Sequence, residues 1–148
     1  MRVPTPPSIR CADGTVREGR YVVPDPDWSL GLGDVDLSRL WVDHACSLIF
    51  EDTRVMIENS FTVHAVDGVD HLLDPGERIA LGPFVAIYPD RLISASVASD
   101  YSLRLDFVSG AWIHVPQDDH YEAWEVSGPG GRLVVCPPAG GDGLAVWT

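Results

Sequence analysis

The sequence predicts a mainly β protein of the α+β class, an antiparallel meander with one short or broken helix. Three observations support this prediction. From Leu40 onwards apolar residues alternate with polar ones, which is typical of strands that bury one face. Clusters of glycine and proline separate these segments and mark turns. A related strand–turn–strand pattern also occurs twice along the chain.

Length and charge restrict the function. The 148 residues, 45% of them hydrophobic, fit one domain with a genuine core. A net charge of -12 repels phosphate backbones and anionic membranes, so we expect neither nucleic acid nor membrane as a partner. Because the chain has no lysine, Schiff-base chemistry and a P-loop lysine are excluded. With no apolar leader and only three separated cysteines, we expect a cytoplasmic protein with reduced thiols.

Residues 1–36 differ from the remainder in being rich in proline and glycine. We expect them to form an arm that packs on the domain or extends from it, with only Thr15 to Val23 able to make a short strand. Residues 37–148 are expected to form a single β-rich domain.

The first repeated unit runs from Leu40 to Phe50, followed by a turn and further strands at 55–57 and 61–66. A shift of 57 positions aligns Asp43 and Phe50 with Asp100 and Phe107. Each copy continues through a turn into a second strand, so the sequence predicts two related hairpin units. The predicted core comprises Leu40, Val42, Leu48, Phe50, Val97, Leu103, Leu105 and Phe107.

Between the units, Asp74 suits an N-cap and Pro75 the first position of a helix that runs to Tyr88. Gly82 and Pro83 should interrupt it, so we expect one short or broken helix. After the second unit the sequence predicts a C-terminal three-strand segment. Its strands are Tyr121 to Val126, Arg132 to Cys136 and Leu144 to Trp147, with glycine-rich turns between them.

Three segments of this last third occur in a distinctive order, namely Tyr121-Glu-Ala-Trp-Glu125, Val134-Val-Cys-Pro137 and Leu144-Ala-Val-Trp147. With the two Asp-containing units, they resemble an actinobacterial family catalogued as domain of unknown function 6188, over about residues 40–147. The Pro83 break and the proline-rich arm depart from that pattern. The resemblance implies a fold type and supplies neither an activity nor functional residues.

Side chains capable of metal binding or acid–base chemistry are densest between His114 and Glu122. Weak metal candidates are His114, Asp118 and His120, but no His-x-His or His-x-x-x-His spacing places two imidazoles on one face. The simpler interpretation is a solvated loop, so we predict no catalytic residue and no cofactor.

Three further side chains are assigned to positions in the fold. We expect His44 to be partly buried on an apolar face beside an inert Cys46, without pairing to Asp43. Cys136, at a strand end before two prolines, is expected to be more exposed.

The function that fits these observations is a non-enzymatic, acidic protein-interaction domain with a basic protein partner. An immunity-type antitoxin is one specific form of this hypothesis. The alternative is a protein that binds a small ligand or divalent metal, with or without catalysis, through the region from His114 to Glu122. The expected partner-binding residues are Asp118, Asp119, Tyr121, Glu122, Trp124 and Glu125.

Overall fold

A computed structural model describes residues 4–148, and within this range the protein is mainly β with antiparallel strand pairing. The strands are β1 (Ser8–Arg10), β2 (Val16–Glu18), β3 (Arg20–Val22), β4 (Asp27–Ser29), β5 (Val35–Asp36), β6 (Arg39–Val42), β7 (Cys46–Phe50), β8 (Thr53–Ile57), β9 (Phe61–His64), β10 (Asp70–Leu73), β11 (Arg91–Ala98), β12 (Leu103–Phe107), β13 (Trp112–Val115), β14 (Trp124–Ser127), β15 (Leu133–Val135) and β16 (Leu144–Trp147). Strands β1 and β2 form a separate hairpin.

The other strands form two seven-stranded sheets that bury a common core. Sheet I has the order β3-β16-β15-β14-β8-β7-β6. Sheet II has the order β10-β9-β13-β12-β11, and both β4 and β5 pair with the outer edge of β11. Strands such as β8 and β12 alternate buried and half-buried residues, because one face of each sheet packs against the other sheet.

Sheet order confirms the two related units. Strands β6–β8 lie in sheet I and are followed by β9 and β10 in sheet II, whereas β11–β13 lie in sheet II and are followed by β14 and β15 in sheet I. The last two strands of each unit are therefore added to the sheet that the first three strands of the other unit form. The third strand of one unit pairs with the fourth strand of the other in both sheets.

Matching residues occupy matching positions in the two units. The carboxylate of Asp43 accepts the backbone N–H two residues on at 2.9 Å, and Asp100 does the same at 3.0 Å. Phe50 and Phe107 are both buried and stack on each other, with ring centroids 6.4 Å apart. The equivalent aromatic residues of the two units thus meet in the centre of the core.

The N-terminal arm is more ordered than the sequence predicts. The expectation of a single strand between Thr15 and Val23 is wrong, because residues 4–36 contribute five strands. Of these, β3 pairs with β16 at the edge of sheet I, and β4 and β5 pair with β11 in sheet II. Leu30 is fully buried in the common core. Pairing with distant strands, which local sequence does not encode, stabilises these short segments.

The predicted helix is reduced to two short helical turns, a 3-10 turn at Arg78–Ala80 and α1 at Gly82–Val85. The prediction of one short or broken helix is therefore confirmed. Pro83 does not itself cause the break, because it lies in the first turn of α1, where a missing N–H leaves no hydrogen bond unmade. Asp74 accepts the N–H of Gly76 at 2.9 Å and so shapes a preceding turn instead of capping a helix. No helix within residues 4–148 is long and apolar enough to cross a membrane.

Six of the eight predicted core residues are buried, namely Leu48, Phe50, Val97, Leu103, Leu105 and Phe107. Leu40 is half-buried, and Val42 is 40% exposed. Both lie on β6, the outermost strand of sheet I, where the neighbouring strand is on one side only. The alternating pattern therefore predicted the strand correctly and its burial incorrectly.

Candidate functional site

The outer face of sheet I carries a cleft of about 500 Å³. Its floor is a row of side chains from four adjacent strands. Strand register places Glu125 beside Val135, Val135 beside Ala145, and Ala145 beside Tyr21. Three interstrand steps of about 4.8 Å separate the ends of this row, so the floor is roughly 14 Å long. A carboxylate thus lies at one end of the floor and an aromatic ring at the other.

One wall of the cleft comes from the hairpin β1–β2, which contributes Ile9 and its neighbours. Arg17 holds the hairpin in place by donating hydrogen bonds to the backbone oxygens of Gly131 at 3.0 Å and Thr148 at 3.3 Å. The indole N–H of Trp147 also donates a hydrogen bond to the backbone oxygen of Arg17, at 3.2 Å.

The hairpin and β16 approach so closely at Gly19 that only glycine fits there. A Cβ at this position would lie 2.5 Å from the backbone oxygen of Val146 and 2.9 Å from the ring of Trp147. Glycine at position 19 therefore allows the β1–β2 hairpin to pack directly against β16.

Three carboxylates line the cleft, those of Glu122, Glu125 and Asp142, and none of the arginines in residues 4–148 does. None of the three has an ion-pair partner within residues 4–148. Partial burial raises the pKa of Glu125, and the neighbouring negative charges of Glu58 and Glu122 raise it further, while Arg54 opposes them. The cleft therefore combines apolar walls with three carboxylates that have no ion-pair partner in the described part of the chain.

The predicted partner-binding residues do not form one surface. The expected strand from Tyr121 begins only at Trp124, because Asp118 accepts the N–H groups of His120 at 2.8 Å and Tyr121 at 3.3 Å in a polar turn. Asp119 and Tyr121 are exposed on this loop.

Trp124 is 1% exposed, and its indole N–H donates to the backbone oxygen of Tyr101 at 3.1 Å. It is a core residue and offers no surface to a partner, contrary to the sequence-based expectation. Of the six predicted partner-binding residues, Glu122 and Glu125 are the two that line the cleft.

The candidate metal ligands are not brought together. His114 lies on β13, in register with Arg104 on one side and Thr62 on the other, whereas Asp118 and His120 lie in the following loop. Within the described part of the chain no three His, Cys, Asp or Glu side chains are grouped so that they could hold a metal ion.

Burial raises the pKa of two thiols. It raises the pKa of Cys46 to about 11 and that of Cys136 to about 12. The prediction that Cys136 is more exposed is wrong, since it is fully buried. His44 is also misplaced by the sequence pattern, because it lies exposed in the β6–β7 turn with its Nδ1 3.3 Å from the Asp43 carboxylate.

The outer face of sheet II carries a second polar cluster whose members satisfy one another. The His64 ring stacks on Trp112 with centroids 4.8 Å apart, and the Arg104 guanidinium lies 4.2 Å from the centre of the Trp112 ring. At the two ends, Asp70 lies 2.5 Å from His64 and Asp106 lies 3.0 Å from Arg104. Since each charged or aromatic group already has a partner, the cleft on sheet I is the stronger candidate site.

Comparison with known proteins identifies the family. The model of a family of unknown function, DUF6188, matches residues 28–148. The chain belongs to this family. No curated protein and no solved structure matches the chain. The DUF6188 match begins within β4, so it includes β4 and β5, the two strands that complete sheet II beyond β11.

Sequence reasoning missed other residues that line the cleft, above all Tyr21, which precedes the matched residues, and Asp142. Tyr21 lies in the arm, and Asp142 lies in a glycine-rich turn that was interpreted only as a connection. Each becomes a cleft residue because β3 and β16 pair at the edge of sheet I. The segments themselves carry no local signal of this pairing.

Proposed function

We propose that this DUF6188 domain is a non-enzymatic protein-interaction module whose acidic cleft receives a basic, partly apolar segment of a protein partner. The observation that carries the proposal is Glu125, a half-buried carboxylate between like charges and without an ion-pair partner in the described residues. A guanidinium or ammonium group entering the cleft would neutralise it. An immunity protein bound to a basic toxin is one role that fits this chemistry.

The energetic reasoning concerns desolvation. Partial burial has already removed part of the hydration of the Glu125 carboxylate, so a cation that pairs with it meets less competition from water. Ile9 and Tyr21 offer apolar surface to the aliphatic part of the incoming side chain or to its neighbours. The net charge of -12 speeds the approach of a basic partner at low salt.

The test uses an acetylated and amidated peptide of alternating arginine and leucine, titrated calorimetrically at several salt concentrations. Hydrogen bonds to charged groups contribute about 1.5–3 kcal/mol, so the Glu122→Gln/Glu125→Gln double variant should raise Kd about tenfold to a hundredfold. Binding to the wild-type protein should also weaken as pH falls through the pKa of Glu125, because protonation removes the charge that the peptide recognises.

A matched control separates the cleft from the overall field. The Glu51→Gln/Glu77→Gln variant removes the same amount of charge from exposed turns outside the cleft. It should change Kd much less than the cleft variant does. Equal losses in the two double variants would show that only net charge attracts the peptide, and the proposal would then be wrong.

The cleft volume favours a second candidate function, binding of a small cationic aromatic molecule. About 500 Å³ falls within the range of small-molecule pockets, roughly 300–1,000 Å³. The probe is 2-phenylethylamine, and a ligand present at 100 times its Kd should stabilise the protein by about 2.7 kcal/mol. Thermal stabilisation by this amine, lost in Glu125→Gln, together with no binding of the arginine–leucine peptide, would favour the small ligand.

A further inference from the structure

The duplication leaves one equivalent edge covered and the other open. Strand β6 of the first unit corresponds to β11 of the second, since each is the first of three consecutive strands in its sheet. The outer edge of β11 pairs with β4 and β5. Within residues 4–148, β6 pairs only with β7, and its other edge has no strand beside it. Unpaired backbone N–H and C=O groups on such an edge are able to bind another extended chain.

Two segments occupy the covered edge. By the 57-residue shift, β6 corresponds to the part of β11 that pairs with β4, where Trp28 is half-buried opposite Val97, whereas β5 pairs with the preceding part of β11. Asp34, Val35 and Asp36 form an acidic–apolar–acidic run along β11. Val35 is half-buried opposite Leu92, while the guanidinium of Arg91 lies 2.9 Å from the Asp34 carboxylate and 2.8 Å from that of Asp36. Apolar contacts on one side of the strand and carboxylate–arginine pairs on the other therefore hold it.

The open edge also has arginines beside it, although the 57-residue shift aligns Arg39 with Ser96 and not with Arg91. Arg39 and Arg54 both lie against the 46% exposed ring of Trp41, at 5.6 and 5.1 Å from its centroid. Neither guanidinium has a carboxylate within ion-pair distance among the described residues. The Arg54 guanidinium also donates to the Ser47 hydroxyl at 3.0 Å. In a protein of net charge -12, this strip thus combines an exposed tryptophan with two guanidinium groups that have no ion-pair partner among the described residues.

The other side of β6 borders an apolar groove of about 370 Å³. Leu40 lies on one side of it, and Val85 and Tyr88, both about half exposed, lie on the other. Because successive residues of a strand point to opposite faces, a strand added to β6 would place alternate side chains in this groove and beside the two arginines.

We propose that the open edge of β6 binds an extended segment of a protein partner in which acidic and apolar residues alternate, paired antiparallel as β4 and β5 are with β11. Its apolar side chains occupy the groove beside Val85, and its carboxylates pair with Arg39 and Arg54. Its residues do not line the acidic cleft, and it selects the opposite charge.

The probe for this surface is an acetylated and amidated peptide of alternating aspartate and valine, at millimolar concentration. In ¹⁵N-labelled protein we expect its largest amide shift changes at residues 39–42. Arg39→Glu should raise Kd about tenfold. Arg20→Glu, the same substitution on β3 at the opposite edge of sheet I, should leave Kd nearly unchanged. Val85→Asp, a change on a different element, should weaken binding as Arg39→Glu does.

Several results would overturn the proposal. Absence of binding, shift changes centred outside β6, or equal weakening by Arg39→Glu and Arg20→Glu would each do so. Tighter binding of the corresponding lysine–valine peptide would show that the edge does not select acidic segments. Sedimentation of the protein alone as a dimer that Arg39→Glu dissociates would assign the edge to a second copy of the chain instead.

Discussion

Replacing Leu30 by alanine tests whether the N-terminal arm is part of the folded domain. Leu30 is fully buried in the common core, and its backbone N–H donates to the Ala95 oxygen at 3.0 Å. The substitution removes three carbon atoms, which at about 0.8 kcal/mol each gives about 2.4 kcal/mol of lost transfer free energy. A cavity that does not collapse raises the total to about 5 kcal/mol. For a chain of this size, Tm should fall by roughly 5–20 °C.

Urea unfolding followed by tryptophan fluorescence, together with calorimetric Tm values, measures this loss. The matched control is Val23→Ala, which truncates a 64% exposed residue of the same arm and should change the free energy of unfolding by less than about 0.5 kcal/mol. A loss below about 1 kcal/mol for Leu30→Ala, or equal losses for both variants, would refute the conclusion that the arm completes the core.

Three further predictions follow from the structure. Burial raises the pKa values of Cys46 and Cys136 well above 8, so at pH 8 native protein should react with one equivalent of Ellman's reagent and denatured protein with three. Two fast-reacting native thiols would contradict this. Glu125→Gln should stabilise the unliganded protein at neutral pH, because the raised pKa of Glu125 shows that its ionised form is less favourable in the folded state than in the unfolded state. The gain in unfolding free energy should shrink as pH falls through that pKa. A difference that does not depend on pH would argue against this. A double-mutant cycle of Phe50→Leu and Phe107→Leu, measured by urea unfolding, should give about 0.5–1.5 kcal/mol of coupling, whereas additive losses would show that the two rings do not interact.

Local pattern predicted those features whose cause is local. Alternation placed Leu48, Phe50, Leu105 and Phe107 in the core, and all four are buried. The same pattern failed at Val42, because alternation reports which side of a strand is apolar and not whether another strand lies beside it.

The candidate site was only partly predictable. The density of carboxylates drew attention to Glu122 and Glu125, which do line the cleft. The same reasoning included Trp124, which is buried, and omitted Tyr21 and Asp142. The floor of the cleft is made by residues from neighbouring strands, whereas a sequence motif contains residues of one strand. Only the register between strands shows which residues lie side by side across the floor.

The sequence by itself determined that the protein is acidic and mainly β and that it is built from two related units, because charge, alternation and duplication are properties of the chain read in order. Tertiary structure alone decided that the units exchange their last strands and that the N-terminal arm pairs with the outer edge of β11, while the outer edge of β6 has no strand beside it in the described residues. It also decided that Glu125 and Tyr21 line one cleft. The physical reason is that these features depend on pairing between segments far apart in the chain. The free energy of such pairing comes from burial and register across the whole sheet and not from the propensity of either segment.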